Sequence, residues 1–297
     1  MKNGILNWNV DPVIIWITDS FPLKYYGALF ACGLLLGFYI VRNIYKKENL
    51  SLDNLDSLLI YVIVGTVLGA RLGHCFFYEA DYFLKHPIEI LIPIQKIKGS
   101  YEFVGFQGLA SHGGTIGVIT AMILYCRRYK VNFLGLLDKM AVAVPVTGAF
   151  IRMGNFMNSE IYGKPTNGNW GVVFQRDDLI PRHPTQLYEA FAYLLIFGIL
   201  FYMYKSEKIR NAKGLIFGTF LTLLFSARFI IEFFKENQES FENSMLINMG
   251  QILSIPFILI GLALIFWKSK KVAVYSDSLQ VTLTEKSQLK TETETEN

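Results

Sequence analysis

Seven apolar stretches constrain this chain more than any other feature: 25–41, 58–78, 103–126, 140–151, 187–204, 215–234 and 246–267. Each approaches the roughly 20 apolar residues that an α-helix needs to cross a ~30 Å hydrocarbon core. Their continuity, rather than short apolar-polar alternation, argues against an outer-membrane barrel. With 52% hydrophobic residues and a mean hydropathy of +0.35, the chain exceeds the apolar content of an ordinary soluble domain. The expected fold is all-α: a polytopic membrane helical bundle of about seven transmembrane helices. The fourth stretch is the weakest, being short and holding Pro145, so six or eight spans also fit.

Basic residues follow the odd-numbered spans: Arg42, Lys46 and Lys47; Arg127, Arg128 and Lys130; Lys205, Lys208, Arg210 and Lys213; Lys268, Lys270 and Lys271. Cytoplasmic loops collect Lys and Arg, so the amino terminus is expected outside and the carboxyl terminus in the cytoplasm. The net charge of +4 then reflects topology, and no clustered nucleic-acid face is visible. The first span lacks a small-residue cleavage site and is expected to remain as an anchor. Cys32, Cys75 and Cys126 fall inside apolar spans with no metal-ligand spacing and read as small buried side chains. No metal and no cofactor is expected.

Residues 1–271 are expected to form the membrane-embedded domain. Within it, about 79–102 reads as an amphipathic arm along the outer interface, and about 163–182 as a small periplasmic cap. Residues 272–297, ending "KTETETEN", are too polar to bury a core and are expected to be a disordered cytoplasmic tail. Glycines 65, 69 and 73, and 113 and 117, have the four-residue spacing of close helix packing.

Ionisable groups within spans cost roughly 2.5–3.5 kcal/mol each at a helix centre, so each needs a reason. Arg71 faces the same way as His74 one turn later, and fits structural pairing or a functional role equally well. His112, in "LASHGGTIG", is by default a satisfied core histidine, but Ser111, Gly113 and Gly114 suggest an open backbone at a cavity. Arg152, at the end of the fourth span, either snorkels or joins Asn155, Asn158 and Glu160, which follow it within one short stretch. Arg228 and Glu232 are four apart on the sixth span and can pair on one helix face. By topology Arg71, Arg152 and Arg228 all lie in the outer halves of their helices. Guanidiniums gathered at one depth repel unless an anion lies between them, and planar Arg suits phosphate. An anionic lipid headgroup is the expected guest.

The segments "HGGTIG" (112–117), "RMGNFMNSEIYG" (152–163), "PRHPTQLYEA" (181–190), "RFIIEFF" (228–234) and "MGQILSIP" (249–256) together resemble the prolipoprotein diacylglyceryl transferase family, in the family's order. The resemblance runs from about Tyr25 to Trp267, and 152–163 is its most specific part. It implies an enzyme of the bacterial inner membrane that moves the diacylglyceryl group of phosphatidylglycerol to the lipobox cysteine of prolipoprotein signal peptides, releasing glycerol phosphate. It also implies that Arg152 contacts phosphatidylglycerol, that Arg228 is a second essential arginine, and that His112 and Tyr26 occupy family positions. Asn155, Glu160, Gly163 and Glu232 match motif positions too. Leu224 departs from the tyrosine of enterobacterial relatives, and the cap is shorter than theirs.

The chemistry so implied needs a thiolate, an in-line electrophile and a neutralised leaving group. His112 is the expected general base, with His74 in reserve, because a free thiol with a pKa near ~8.5 must lose its proton. Arg152 and Arg228 would hold the phosphodiester, with Glu232 orienting Arg228; Tyr26, Asn155 and Asn158 would bind headgroup hydroxyls. The partners are phosphatidylglycerol, prolipoproteins and membrane lipids. The rival reading is a membrane transporter for an anionic solute or lipid, against which stands the lack of an internal repeat of helices.

Overall fold

The computed structural model describes residues 4–18, 21–91, 94–97, 100–103, 109–236, 242 and 245–267. The expected tail, 272–297, lies outside the described residues. Among the described residues, six helices are long and apolar enough to cross a membrane, and the chain is a multi-pass membrane protein. The chain divides into two compact units, the first formed by Met1–Ile44 and Leu134–Val272, the second containing Tyr45–Phe133.

The first unit opens with strands β1 (Ile5–Trp8), β2 (Val13–Thr18) and β3 (Phe21–Lys24), followed by helix α1 (Tyr25–Lys47), whose last three residues fall in the second unit. The second unit holds α2 (Leu52–Phe77), the short turns α3 (Ala80–Phe83) and α4 (Ile88–Leu91), the hairpin β4 (Ile94–Ile97) and β5 (Ser100–Phe103), and α5 (Ser111–Tyr129). The first unit resumes with α6 (Phe133–Met157), β6 (Gly171–Phe174), β7 (Pro181–Arg182) and α7 (Thr185–Lys205). It closes with α8 (Glu207–Asn211), α9 (Leu215–Ile231), a 3-10 turn at Glu232–Phe234 and α10 (Met249–Phe266).

Two expectations about spans change. The fourth stretch is a full 25-residue helix, α6, with Pro145 inside it. Pro145 is fully buried among the buried Ala141, Val142 and Val146, so packing of the neighbouring residues holds the helix through the missing donor. The third stretch becomes helical only at Ser111, and Phe103 ends a strand instead. The 19-residue α5, about 28 Å long, falls outside the six because its glycines, histidine and arginines dilute its apolar content. The arm consists of two helical turns and a hairpin.

Within the first unit, helices approach where side chains vanish. A Cβ at Gly33 would lie 2.8 Å from the Phe150 side chain, and Thr147 Oγ1 donates to the Gly33 carbonyl at 2.9 Å, binding α1 to α6. Gly218 and Gly261 do the same for α9 and α10. The resulting core gathers Val142, Ala149, Tyr193, Leu200, Ile216 and Leu221, with Leu224 packed partly buried against it. The N-terminus of α9 is capped from another helix: Asp138 on α6 accepts from the Gly214 and Phe217 amides at 2.6 and 2.8 Å. At α10, Asn248 and Gln251 form a reciprocal capping box.

The cap region contains a three-stranded sheet in the order β1-β6-β7, parallel between β1 and β6 and antiparallel between β6 and β7. The expected cap, 163–182, thus gains the N-terminal strand as a third member. Phe174 and Val172 from β6 pack with Trp8 of β1 and Phe156 of α6, which seats the sheet on the end of α6 that carries Arg152 and Asn155.

In the second unit α2 and α5 cross at backbone contact. Cβ atoms added at Gly69 and Gly113 would come within 2.4 and 2.3 Å of the opposing helix's carbonyls, those of Gly113 and Gly69 respectively. Gly113 and Gly117 of "HGGTIG" therefore serve helix packing, and both also line a cavity with Gly69, Leu72 and Gly73 of α2. Of the three cysteines, Cys75 and Cys126 are buried as expected, whereas Cys32 is exposed on α1.

Candidate active site

Helix α6 delivers Arg152 to the end of an apolar run, and α7 meets it with a carboxylate. Arg152 Nε lies 2.8 Å from Oε2 of Glu189, whose side chain is fully buried. Glu189 Oε1 in turn accepts from Lys235 Nζ at 3.0 Å, and Lys235 reaches Glu232 Oε2 at 3.4 Å. Asn248 Nδ2 donates to Glu232 Oε1 at 3.4 Å. Three helical segments and the 3-10 turn are thus joined by alternating charges, the arrangement that makes buried ions tolerable.

Arg152 is held from its other side too. Its terminal Nη1 donates to Asn155 Oδ1 at 3.3 Å, and Asn155 Nδ2 donates to Glu160 Oε1 at 2.8 Å. Asn158 Nδ2 reaches the same carboxylate oxygen at 3.3 Å. The sequence places Arg152, Asn155, Asn158 and Glu160 in one stretch, and the structure makes them one hydrogen-bonded chain. Tyr26, at the start of α1, packs its ring where a Cβ at Gly154 would stand 2.8 Å from it.

The expected Arg228–Glu232 pair does not form. Glu232 still donates its amide to the Arg228 carbonyl as in an α-turn, but its carboxylate turns to Asn248 and to Lys235, which the 3-10 turn brings round. Arg228 is half-buried and has no ion pair or hydrogen bond among the described residues. Tyr193 of α7 lies within electrostatic reach of both arginines.

Gly163 is a packing position. A Cβ there would meet the Phe234 carbonyl at 2.4 Å, the His183 Cβ at 2.7 Å and the Thr185 methyl at 2.7 Å, while its amide donates to the His183 carbonyl at 2.8 Å. No side chain fits where the segment after the 3-10 turn, the cap loop and α7 meet. Beside it, Arg182 donates to Asp178 from Nε at 2.8 Å and Nη2 at 2.6 Å, and from Nη1 to Glu236 at 2.6 Å. The guanidinium holds the Asp178 carboxyl below its ordinary range, and burial pushes the His183 ring down.

In the second unit, Arg71 is buried and committed to the arm. Its Nε donates to the Ile90 carbonyl at 3.1 Å and its Nη2 to the Glu89 carbonyl at 2.7 Å, with the guanidinium 4.8 Å from the Phe83 ring centroid. Of the two expected roles, the contacts seen belong to the structural one: it anchors α4. His74 Nε2 is 3.6 Å from Glu79 Oε1 and its ring stacks on Tyr78. His112, second residue of α5, is exposed and makes no hydrogen bond among the described residues.

Sequence reading missed Glu189 and Lys235. Glu189 carried a usable signal, since it is a carboxylate within the fifth apolar stretch and within "PRHPTQLYEA". Lys235 carried none, lying just beyond the sixth stretch among ordinary polar residues.

Residues 12–267 match the family model described as prolipoprotein diacylglyceryl transferase. The chain is 48% identical over 270 residues to the phosphatidylglycerol–prolipoprotein diacylglyceryl transferase of Tolumonas auensis, covering 91% of this chain and 100% of that protein. It is 44% identical over 277 residues to the protein of that name from Bacteroides fragilis, covering 92% and 100%. With the Chloroherpeton thalassium protein of the same name it shares 41% identity over 272 residues, covering 91% and 97%.

Proposed function

This chain belongs to the prolipoprotein diacylglyceryl transferase family, and on that premise we propose that it moves the diacylglyceryl group of phosphatidylglycerol onto the lipobox cysteine of prolipoproteins. It acts from the bacterial inner membrane, with its amino terminus outside and its carboxyl terminus in the cytoplasm, as the distribution of Lys and Arg supports. In the reaction a carbon–sulfur bond forms and the carbon–oxygen bond to phosphate breaks. The bonding electron pair leaves on glycerol phosphate, and the thiol proton goes to a base.

The observation that carries this reading is that Arg228 on α9 is half-buried and lacks a carboxylate partner among the described residues, while Arg152 on α6 is held in place by Glu189 and Asn155. An unpaired, half-buried guanidinium is set for an anion. The two arginines hold the phosphodiester and stabilise charge developing on the leaving phosphate, in a water-poor site where such contacts gain strength. Asn158 and Tyr26 supply headgroup contacts, and Glu160 and Asn155 fix the first arginine. Glu232 acts through Lys235 rather than through Arg228. His112, exposed and without a hydrogen-bond partner among the described residues, accepts the thiol proton; His74, engaged with Glu79, is second choice.

The test mixes purified protein, phosphatidylglycerol vesicles and a lipobox peptide, and weighs the peptide by mass spectrometry. A gain of one diacylglyceryl group is expected with the cysteine peptide and none with its serine counterpart. An unmodified cysteine peptide overturns the reading, and net flux of an anionic solute without lipidation would favour a transporter.

A further inference from the structure

Thr185, Gln186 and Glu189 are fully buried on α7, and spacings of three and four residues place them on one face of its first two turns. Each is spent on the segment that follows Arg152. Glu189 takes the Arg152 Nε directly. Gln186 Nε2 donates to the Glu160 carbonyl at 2.7 Å, and Thr185 Oγ1 donates to the Ile161 carbonyl at 3.1 Å.

The backbone so gripped is strained. Ser159 and Ile161 both adopt left-handed conformations, with φ of 57° and 59°. A β-branched residue in that region is a true outlier that persists only where its surroundings over-determine it. Between them stands Glu160, whose Oε1 accepts from both Asn155 and Asn158. A primary amide has one acceptor and one donor end. With the Asn155 donor fixed on Glu160, its oxygen faces the Arg152 Nη1.

We propose that Thr185, Gln186 and Glu189 of α7 are positioning residues for the transfer reaction: Glu189 fixes Arg152 by one end, and Thr185 and Gln186 fix it by the other through the strained Glu160 turn. The inference rests on the function proposed above and extends it to residues that need not touch either substrate. A guanidinium that neutralises a departing phosphate must be aimed, because a misplacement of about 1 Å can cost on the order of 100-fold in rate.

A double-mutant cycle between Gln186→Met and Glu160→Gln tests this in the vesicle and peptide assay. Each single variant is expected to lower kcat about 10- to 100-fold, with KM for phosphatidylglycerol little changed, and the double variant to be no worse than the poorer single one. Thr185→Val replaces Gln186→Met in the same cycle should the latter fail to accumulate. Multiplying losses in the double variant, or wild-type turnover in both α7 variants, overturns the proposal. The same cycle read by thermal unfolding needs no turnover, and there additive shifts overturn it. Absence of lipidation by the wild-type protein would instead count against the function itself.

Discussion

Arg152 of α6 and Glu189 of α7 form a 2.8 Å ion pair, and the same carboxylate also receives Lys235 at 3.0 Å. One fully buried anion therefore neutralises two cations from different parts of the chain. Glu189→Gln keeps the shape and removes the charge. Breaking a buried pair from one side costs about 3–5 kcal/mol, so thermal unfolding in detergent should fall clearly and lipid transfer with it. Glu189→Gln with Lys235→Met should regain part of the stability without regaining transfer.

Arg228 gives the opposite pattern. Having no ion pair among the described residues, it contributes little to folding, and Arg228→Gln should shift stability by no more than about 0.5 kcal/mol. Transfer should nevertheless be abolished, as measured by peptide mass. Activity near that of the wild type would remove Arg228 from the phosphate site.

Arg152→Lys keeps the charge and loses the fork. A lysine cannot serve Glu189, Asn155 and a phosphate from one planar group, so kcat/KM for phosphatidylglycerol should drop by about 10-fold or more. Unchanged turnover would mean that Arg152 does no more than reach for the membrane surface.

Ile161→Gly separates stability from function. Removing a β-branched side chain from φ 59° relieves strain of about 1–2 kcal/mol, which glycine's flexibility and the loss of the isoleucine's buried apolar surface offset. Melting temperature should change little while kcat falls, because the Glu160 turn is no longer forced.

The Arg182–Asp178 pair sets an acid limit on the cap. Since the folded Asp178 carboxyl is held below its ordinary 3.8 by Arg182, its contribution is present above that value and fades only as pH falls through the lower, folded one. Protease resistance of the cap should persist through pH 4 and decline below it. Asp178→Asn should be weaker at neutral pH and lose less on acidification.

Long apolar stretches could be read from the sequence because a bilayer demands them residue by residue. The grouping of Arg152, Asn155, Asn158 and Glu160 was equally legible, since all four sit within nine residues. The glycine spacing in α2 and α5 announced the close crossing that the structure shows.

What stayed hidden depended on partners distant in the chain. Glu232 keeps its helical spacing from Arg228 yet pairs with Lys235, brought round by the 3-10 turn, and with Asn248 from the start of α10, which helical periodicity alone does not announce. Arg71 gives its Nε and Nη2 to carbonyls of the arm, contacts that no local pattern announces. The sequence by itself determined a membrane bundle and the grouped polar stretch at the end of α6, because both follow from local apolar and polar pattern. Only the tertiary structure decided which carboxylate holds which cation, because burial makes charges choose the nearest satisfiable partner in space and not the nearest in sequence.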